Sequence, residues 1–272
     1  MRAHHPLVLI RGGGDLATGV AARLKCCGFD VVVVEIEKPL AVRRLVSLAE
    51  AVYAGEVEIE ELCGRRIESA KVVEPALEDG VVPVLVDPTA ESRHHLKPVV
   101  IVDGRMRKVA PEIGMEAAPL VIGLGPGFTA GHDCHAVVET NRGHYMGRVY
   151  WEGSAEPDTT RPEKVANYDL DRVLRSPTTG LFEGKMRLGS IVRKGEVIAV
   201  VDGIALQAPF DGALRGLLHS GIEVEEGMKV GDSDPRGEPS YCYQISDKSL
   251  AVGGGVLEAI LSRREIRKLL GS

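Results

Sequence analysis

Three features are scarce or missing in this sequence, and each absence narrows the reading. No stretch reaches the roughly 18 consecutive apolar residues that a membrane-spanning helix needs, and the segment before the first apolar run carries Arg2, His4 and His5 where a secretory leader has an apolar core. The chain therefore reads as cytoplasmic, with no membrane partner. Cationic excess is also missing: 33 Lys and Arg against 39 Asp and Glu leave a net charge of -6. No Lys/Arg run is longer than a pair such as Arg263-Arg264 or Arg267-Lys268, so a nucleic-acid partner is not expected. The five cysteines, Cys26, Cys27, Cys63, Cys134 and Cys242, are odd in number and form no CxxC pair, which argues against a disulfide framework or a structural zinc site. What is present is ordinary for a folded protein: 272 residues, 44% hydrophobic and 26% charged, enough for one large core or two modest ones.

The N-terminal half alternates between two periodicities. Leu7-Val8-Leu9-Ile10 breaks into Arg11-Gly12-Gly13-Gly14-Asp15, and apolar residues then recur at Leu16, Val20, Ala21 and Leu24 with helical spacing. Gly28 stops that helix, and Val31–Val34 is a β-branched run suited to a strand buried on both faces. Pro39 opens a second helical stretch through Leu40, Val42, Leu45, Leu48 and Val52, and strands are expected over 81–86, 98–102 and 120–124. This order predicts a Rossmann-like α/β fold with a mainly parallel sheet over residues 1–152. Gly12-x-Gly14-x-x-Ala17 fits the dinucleotide fingerprint, and Glu35 stands at the end of the second strand, where an acid accepts from a ribose hydroxyl. Glycines let a backbone approach phosphate, and a helix start supplies unpaired N–H groups. An anionic small molecule or a nucleotide is therefore expected at Gly12, Gly13 and Gly14. Asp15 complicates this, because a carboxylate suits the first turn of a helix yet repels a pyrophosphate placed there.

A second glycine loop, Gly125-Pro126-Gly127-Phe128, follows the strand at 120–124 and also presents backbone amides. After it come His132, Asp133, Cys134 and His135, then Glu139-Thr140-Asn141-Arg142-Gly143-His144. A strand over 132–139 places His132 and Cys134 on one face, so that with His144 they are the candidates for a metal; ordinary histidines at a strand end are the competing reading. Arg142, with its paired donors, is a candidate contact for phosphate or carboxylate. Cys134, beside two histidines, is the cysteine best placed to be reactive.

Beyond a polar stretch at 153–175, read as a linker, the texture changes to short strands punctuated by glycine. Pro177-Thr178-Thr179-Gly180 aligns with Pro209-Phe210-Asp211-Gly212, and the same offset relates Gly184 to Gly216, Val192 to Val224 and Ile198 to Val230. Residues 176–244 resemble the barrel-sandwich hybrid of biotinyl and lipoyl carrier domains, but the hairpin Val201-Asp202-Gly203-Ile204 has no lysine to modify, which leaves a carrier-like interaction module as one reading. Residues 245–272 read as a further glycine turn at Gly253-Gly254-Gly255 entering a helix that packs on the first domain. Lys248, Gly253 and Gly254 are added to the candidate anion site.

Taken together, Arg11–Gly19, Glu35–Arg44, Gly125–Phe128, Glu139–His144 and Ile245–Lys248 resemble the accessory proteins of the selenium-dependent molybdenum hydroxylase system, relatives of the XdhC-like xanthine dehydrogenase accessory proteins. The resemblance implies a maturation factor that handles molybdopterin or its nucleotide form and has a molybdenum hydroxylase apoenzyme as partner. An NAD(P)-dependent oxidoreductase is the alternative that the fingerprint itself supports.

Overall fold

The computed structural model describes residues 5–107, 111–157 and 172–271. The chain forms two compact units: Met1–Pro39 with Ser47–Asp158 and Ile245–Ser272, and Leu40–Val46 with Thr159–Gln244. Residues 158–171, the middle of the stretch read as a linker, lie outside the described residues; its ends fall in short strands.

In the first unit, β1 (Leu7–Arg11), β2 (Asp30–Glu35), β3 (Glu56–Ile59), β4 (Leu62–Ile67), β5 (Val82–Val86), β6 (Val100–Asp103), β7 (Leu120–Leu124), β9 (Ala136–Val138) and β10 (Val149–Tyr150) build a nine-stranded sheet. Its order is β10-β9-β7-β6-β1-β2-β5-β4-β3, and β8 (Thr129–Ala130) pairs with β11 (Gly153–Ser154) in a separate ribbon. The central strands are apolar on both faces because both faces are covered: Val8, Leu9 and Ile10 of β1 and Val31, Val32 and Val33 of β2 are fully buried. On one face Leu9, Val32, Val34, Ile101 and Val121 pack against Val73, Leu77 and Phe128.

This architecture corrects the Rossmann-like expectation, although most strand pairs of the sheet are parallel. The sheet is mixed, with β3 and β10 antiparallel to their neighbours. Among the described residues, the β6–β7 and β7–β9 connections contain no α-helix, only a 3-10 turn at Met115–Ala117 and the strand β8. Glycine and proline at 104, 111, 114, 119, 125, 126, 127 and 131 leave those connections no room for one. The covering helix comes instead from the end of the chain. Helix α5 (Asp247–Ser262) packs along α1 (Asp15–Cys26) and reaches β7 and β9.

Helix α1 follows Gly14 as its N-cap, carries Asp15 in its first turn and Arg23 and Lys25 in its last, a charge order that complements the helix dipole. The remaining helices of this unit are short: α2 (Ala51–Ala54), α3 (Val73–Glu78), α4 (Arg93–Leu96) and α6 (Arg264–Arg267). The single helix expected from Pro39 to Gly55 is broken into 3-10 turns at Arg44–Val46 and Leu48–Glu50 before α2. Two hydrogen bonds explain the break: Val42 O accepts from Leu217 N at 2.8 Å, and Ala49 N donates to Gly13 O at 2.9 Å, which takes both groups out of a helical ladder.

Gly253-Gly254-Gly255 is not a turn but the middle of α5, whose start is capped by Ser246 Oγ accepting from Ser249 N at 3.1 Å. The glycines permit contact between backbones. A Cβ on Gly253 would lie 2.5 Å from Gly19 O, one on Gly19 would lie 2.4 Å from Ser249 O, and one on Gly255 would lie 2.3 Å from Gly147 O.

The second unit contains β12 (Val173–Arg175), β13 (Gly180–Gly184), β14 (Ile191–Val192), β15 (Val197–Val201), β16 (Ile204–Gln207), β17 (Gly212–Leu217), β18 (Ile222–Val224) and β19 (Lys229–Asp234). They form two antiparallel sheets of four strands, β12-β19-β17-β14 and β16-β15-β13-β18. An offset of 32 residues relates Gly180 of β13 to Gly212 of β17 and Val197 of β15 to Lys229 of β19. The copies interlock, since β14 of the first pairs with β17 of the second and β18 of the second with β13 of the first. Phe182, Ile198, Leu214, Leu217 and Val230 fill the core. The barrel-sandwich expectation is corrected here: among the described residues no ladder joins the two sheets, so no barrel closes. At the β15–β16 hairpin, Asp202 (φ +43°) and Gly203 (φ +83°) make a tight turn, and the Asp202 carboxylate accepts from Leu181 N at 2.9 Å, bracing β13.

The helix contact yields a test. Gly253→Val should destabilise the protein by about 2–3 kcal/mol through overpacking against Gly19, whereas Gly254→Ala, which meets nothing within 4 Å, should stabilise it by about 0.5–1 kcal/mol. Urea unfolding followed by circular dichroism measures both, and equal effects would refute the backbone contact.

Candidate functional site

Because β1, β2, β6, β7 and β9 run parallel, their carboxyl ends lie along one edge of the sheet. The order turns at β1, which is flanked by β2 on one side and β6 on the other, and in open α/β sheets such a turning point leaves a crevice at the carboxyl edge.

Arg11 ends β1 and is in register with Asp103 at the end of β6. Its side chain is only 2% exposed, and it donates from Nη1 to Asp103 Oδ2 at 3.0 Å and from Nη2 to Glu112 Oε2 at 3.3 Å. Burial pulls the Arg11 guanidinium below its ordinary pKa, and the Asp103 carboxylate opposes that shift. Arg105 grips the same carboxylate with two bonds, Nε to Oδ1 at 3.0 Å and Nη2 to Oδ2 at 2.7 Å, and reaches Glu112 at 2.7 Å. The Arg105 bond is the main reason that Glu112 is held down to about 2. Arg107 adds a third guanidinium to Glu112. Two carboxylates thus engage three arginines around the end of β6.

The Gly12–Gly14 turn lies beside this network. Gly12 takes a left-handed conformation (φ +86°), and a Cβ there would meet Arg105 Cγ at 3.0 Å, so the chain after β6 crosses directly over it. Gly12 N donates to Val34 O at 2.8 Å, and Gly13 N faces Glu35 Oε1 at 3.4 Å. Both glycines are buried, and Thr18 Oγ1 donates to Gly14 O at 3.0 Å while accepting from Leu48 N at 3.0 Å. Glu35, half-buried at the end of β2, is raised to about 7: burial dominates, and the Gly13 and Ile36 amides and Arg105 oppose it. A carboxylate therefore stands where a phosphate was expected, and Asp15 adds negative charge at the start of the same helix. This geometry corrects the anion, nucleotide and NAD(P) readings of the turn.

The other candidate residues separate. Gly125 (φ +71°) sits against Thr140 Oγ1 and donates from its N–H to Val138 O at 2.9 Å; Pro126 is half-buried, Gly127 is exposed, and the Phe128 ring packs over Gly123. Residues 131–134 turn instead of extending a strand, so the alternation of faces expected there does not arise. His132 is exposed and bonds to Asp133 at 2.7 Å, His144 is exposed against Tyr145, and Cys134 is buried with its thiol donating to Ala136 O at 3.2 Å. Burial raises Cys134 to about 11, the opposite of a reactive thiol. Among the described residues, no group of three His, Cys, Asp or Glu side chains could hold a metal ion. Arg142 is bonded by both terminal nitrogens to Asp247, the first residue of α5, and Lys248, Gly253 and Gly254 lie within that helix. Glu139 is fully buried, and its carboxylate accepts from Asn141 N and Glu156 N, each at 2.7 Å, an arrangement that ties two loops together.

The network of Arg11, Asp103, Arg105 and Glu112 was not anticipated from the sequence. The available signal was Arg11 itself, since an arginine ending an apolar buried strand must meet a carboxylate.

No protein-family model matches the chain. Uncharacterized protein YqeB of Escherichia coli (strain K12) is 44% identical over 257 residues, covering 94% of this chain and 48% of the relative. The chain thus spans about half the length of the curated relative it matches. Among solved structures, an aspartoacylase family protein from Mesorhizobium loti shares 13% identity with 85% of each chain covered and a TM-score of 0.26. A succinylglutamate desuccinylase/aspartoacylase from Rhodobacter sphaeroides shares 14%, with 85% and 86% covered and a TM-score of 0.25. Superpositions this loose assign neither fold nor function. No family model supports the membership expected from the motifs, and the 44% identical relative is not described as a molybdenum hydroxylase accessory protein, so that membership is withdrawn. The maturation role, the molybdenum hydroxylase apoenzyme as partner and the molybdopterin ligand go with it. Among the described residues, no helix is long and apolar enough to cross a membrane.

Glu35 makes a prediction for stability. Below its ordinary value of 4.5 the carboxyl is protonated in both folded and unfolded chains; between 4.5 and about 7 only the unfolded chain ionises. Glu35 should therefore lower stability progressively across that window and by a constant amount above it. Unfolding free energies at a series of pH values should show a downward slope for wild type relative to Glu35→Gln over pH 4.5 to 7; parallel curves would refute the raised value.

Proposed function

We propose that the carboxyl edge of the sheet beside Gly12–Gly14 binds a small hydroxyl- or amine-bearing molecule, and that Glu35 is the group there that accepts and returns a proton. The observation that carries this reading is the Glu35 carboxyl itself, placed at the turning point of the sheet against the Gly13 amide and pushed up by burial to about 7. A group that exchanges its proton near neutral pH suits general acid–base chemistry. The charges around it favour a hydrogen-bond donor as ligand. Arg11 and Arg105 are engaged by Asp103 and Glu112, whereas Glu35 meets only backbone amides among the bonds described for it and keeps acceptor capacity.

The reading is tested by amide chemical shifts of the full chain, using ribitol as a neutral polyol, ethanolamine as an amine and inorganic phosphate as an anion. Ribitol or ethanolamine should shift the Gly13, Gly14, Ile36 and Arg105 amides saturably, with the response lost in Glu35→Ala, and phosphate should leave them in place. Saturable shifts with phosphate, or none with either of the other two probes, would overturn it.

A further inference from the structure

The opposite edge of the same sheet holds a separate cleft of about 500 Å³, lined by Met115, Gly131, His135, Trp151, Ser262 and Arg263. That volume lies within the range of small-molecule sites. The cleft sits at the amino ends of β7 and β9, between the 3-10 turn preceding β7 and the point where α5 gives way to α6.

Two of the side chains lining the cleft, Arg263 and His135, can donate hydrogen bonds. Arg263 places its guanidinium 4.6 Å above the centre of the Trp151 ring, a contact that fixes the plane of the charge. Its Nε is buried with no hydrogen-bond partner, and among the described residues no carboxylate pairs with the guanidinium. The guanidinium is partly exposed, and its terminal nitrogens are not among the buried unpartnered atoms. His135 Nδ1 accepts from Val121 N at 3.0 Å, so the neutral ring carries its proton on Nε2. Burial, and then the charge of Arg263, hold His135 below its ordinary pKa. Ser262 uses its hydroxyl proton on Glu258 O at 2.8 Å and so turns only an acceptor outward.

The end of a helix normally presents bare carbonyls that repel an anion. Here two of the last carbonyls of α5 are occupied: Ile260 O accepts from Arg263 N at 3.1 Å and Leu261 O from Arg267 Nη1 at 3.0 Å. Among the described residues no Asp or Glu lines the cleft, and Met115 and the Trp151 ring supply apolar walls.

We infer that this cleft is a binding site for a small organic carboxylate with an apolar or aromatic body, its carboxylate received by Arg263 and by His135 Nε2–H and its body lying against Trp151 and Met115. The site is independent of the Glu35 edge and stands whether or not that reading holds.

Trp151 is the only tryptophan of the chain, so its fluorescence reports on this cleft alone. Benzoate and its neutral isostere benzamide are titrated into the full-length protein, with free N-acetyltryptophanamide as the control for collisional quenching. Benzoate should give a saturable change in emission, with an apparent affinity at least about tenfold tighter than that of benzamide. Arg263→Gln, checked for folding by circular dichroism, should lose at least about tenfold for benzoate and little for benzamide. The comparison of the two probes on wild-type protein decides the question even if the variant does not fold. A response that never saturates, equal affinities for the two probes, or full benzoate affinity in folded Arg263→Gln overturns the inference.

Discussion

The structure of the first unit depends on two helices meeting backbone to backbone. Side chains usually intervene between packed helices; α1 and α5 meet through backbone because Gly19 faces Ser249 and Gly253 faces Gly19. Close approach brings Cα–H groups against carbonyl oxygens and removes apolar surface from water on both helices. The sheet needs this contact because the connections around β7 are too rich in glycine and proline to supply a helix of their own. Helix α5 fills that place, with Gly255 against Gly147 and Val138, the latter in β9. Its two ends carry further consequences. Asp247 at the start holds Arg142, and Arg263 just beyond the end stacks on Trp151.

At the carboxyl edge the governing effect is the cost of burying charge. Arg11 is almost wholly enclosed, and leaving it without a carboxylate would cost about 3–5 kcal/mol. Asp103 meets that requirement because parallel register puts it opposite Arg11, and it is shared with Arg105, whose stem lies over Gly12. Once those cations are committed, Glu35 is left with backbone amides and the more distant field of Arg105. Desolvation then outweighs them, and the proton stays on to neutral pH.

Much of the first unit could be read from the sequence, because apolar runs bounded by glycine fix β1, β2 and β7, and helical spacing fixes α1. What escaped reading has a common cause: glycine permits close approach without saying what approaches. At Gly13 the visitors are the Glu35 carboxylate and the Ala49 backbone, not a ligand phosphate. At Gly253 the visitor is another helix, so a run of three glycines sits inside α5, although Ser246-Asp247-Lys248-Ser249 carried the helix-start signal seven residues earlier. The helical spacing from Leu40 to Val52 was real but divided between units, which periodicity cannot show. At the site, Glu35 was visible from its place at a strand end, while its protonation was not, since that depends on which cations are already engaged. Trp151, His135 and Arg263 are far apart in sequence and share no motif, so only the fold brings them together.

The most direct test of the central claim is the titration of the Glu35 side-chain carboxyl carbon, followed by NMR in the full chain and assigned with Glu35→Gln. The account predicts a midpoint near 7. A midpoint in the ordinary carboxylate range, near 4.5, would show a solvated, ionised group and contradict it.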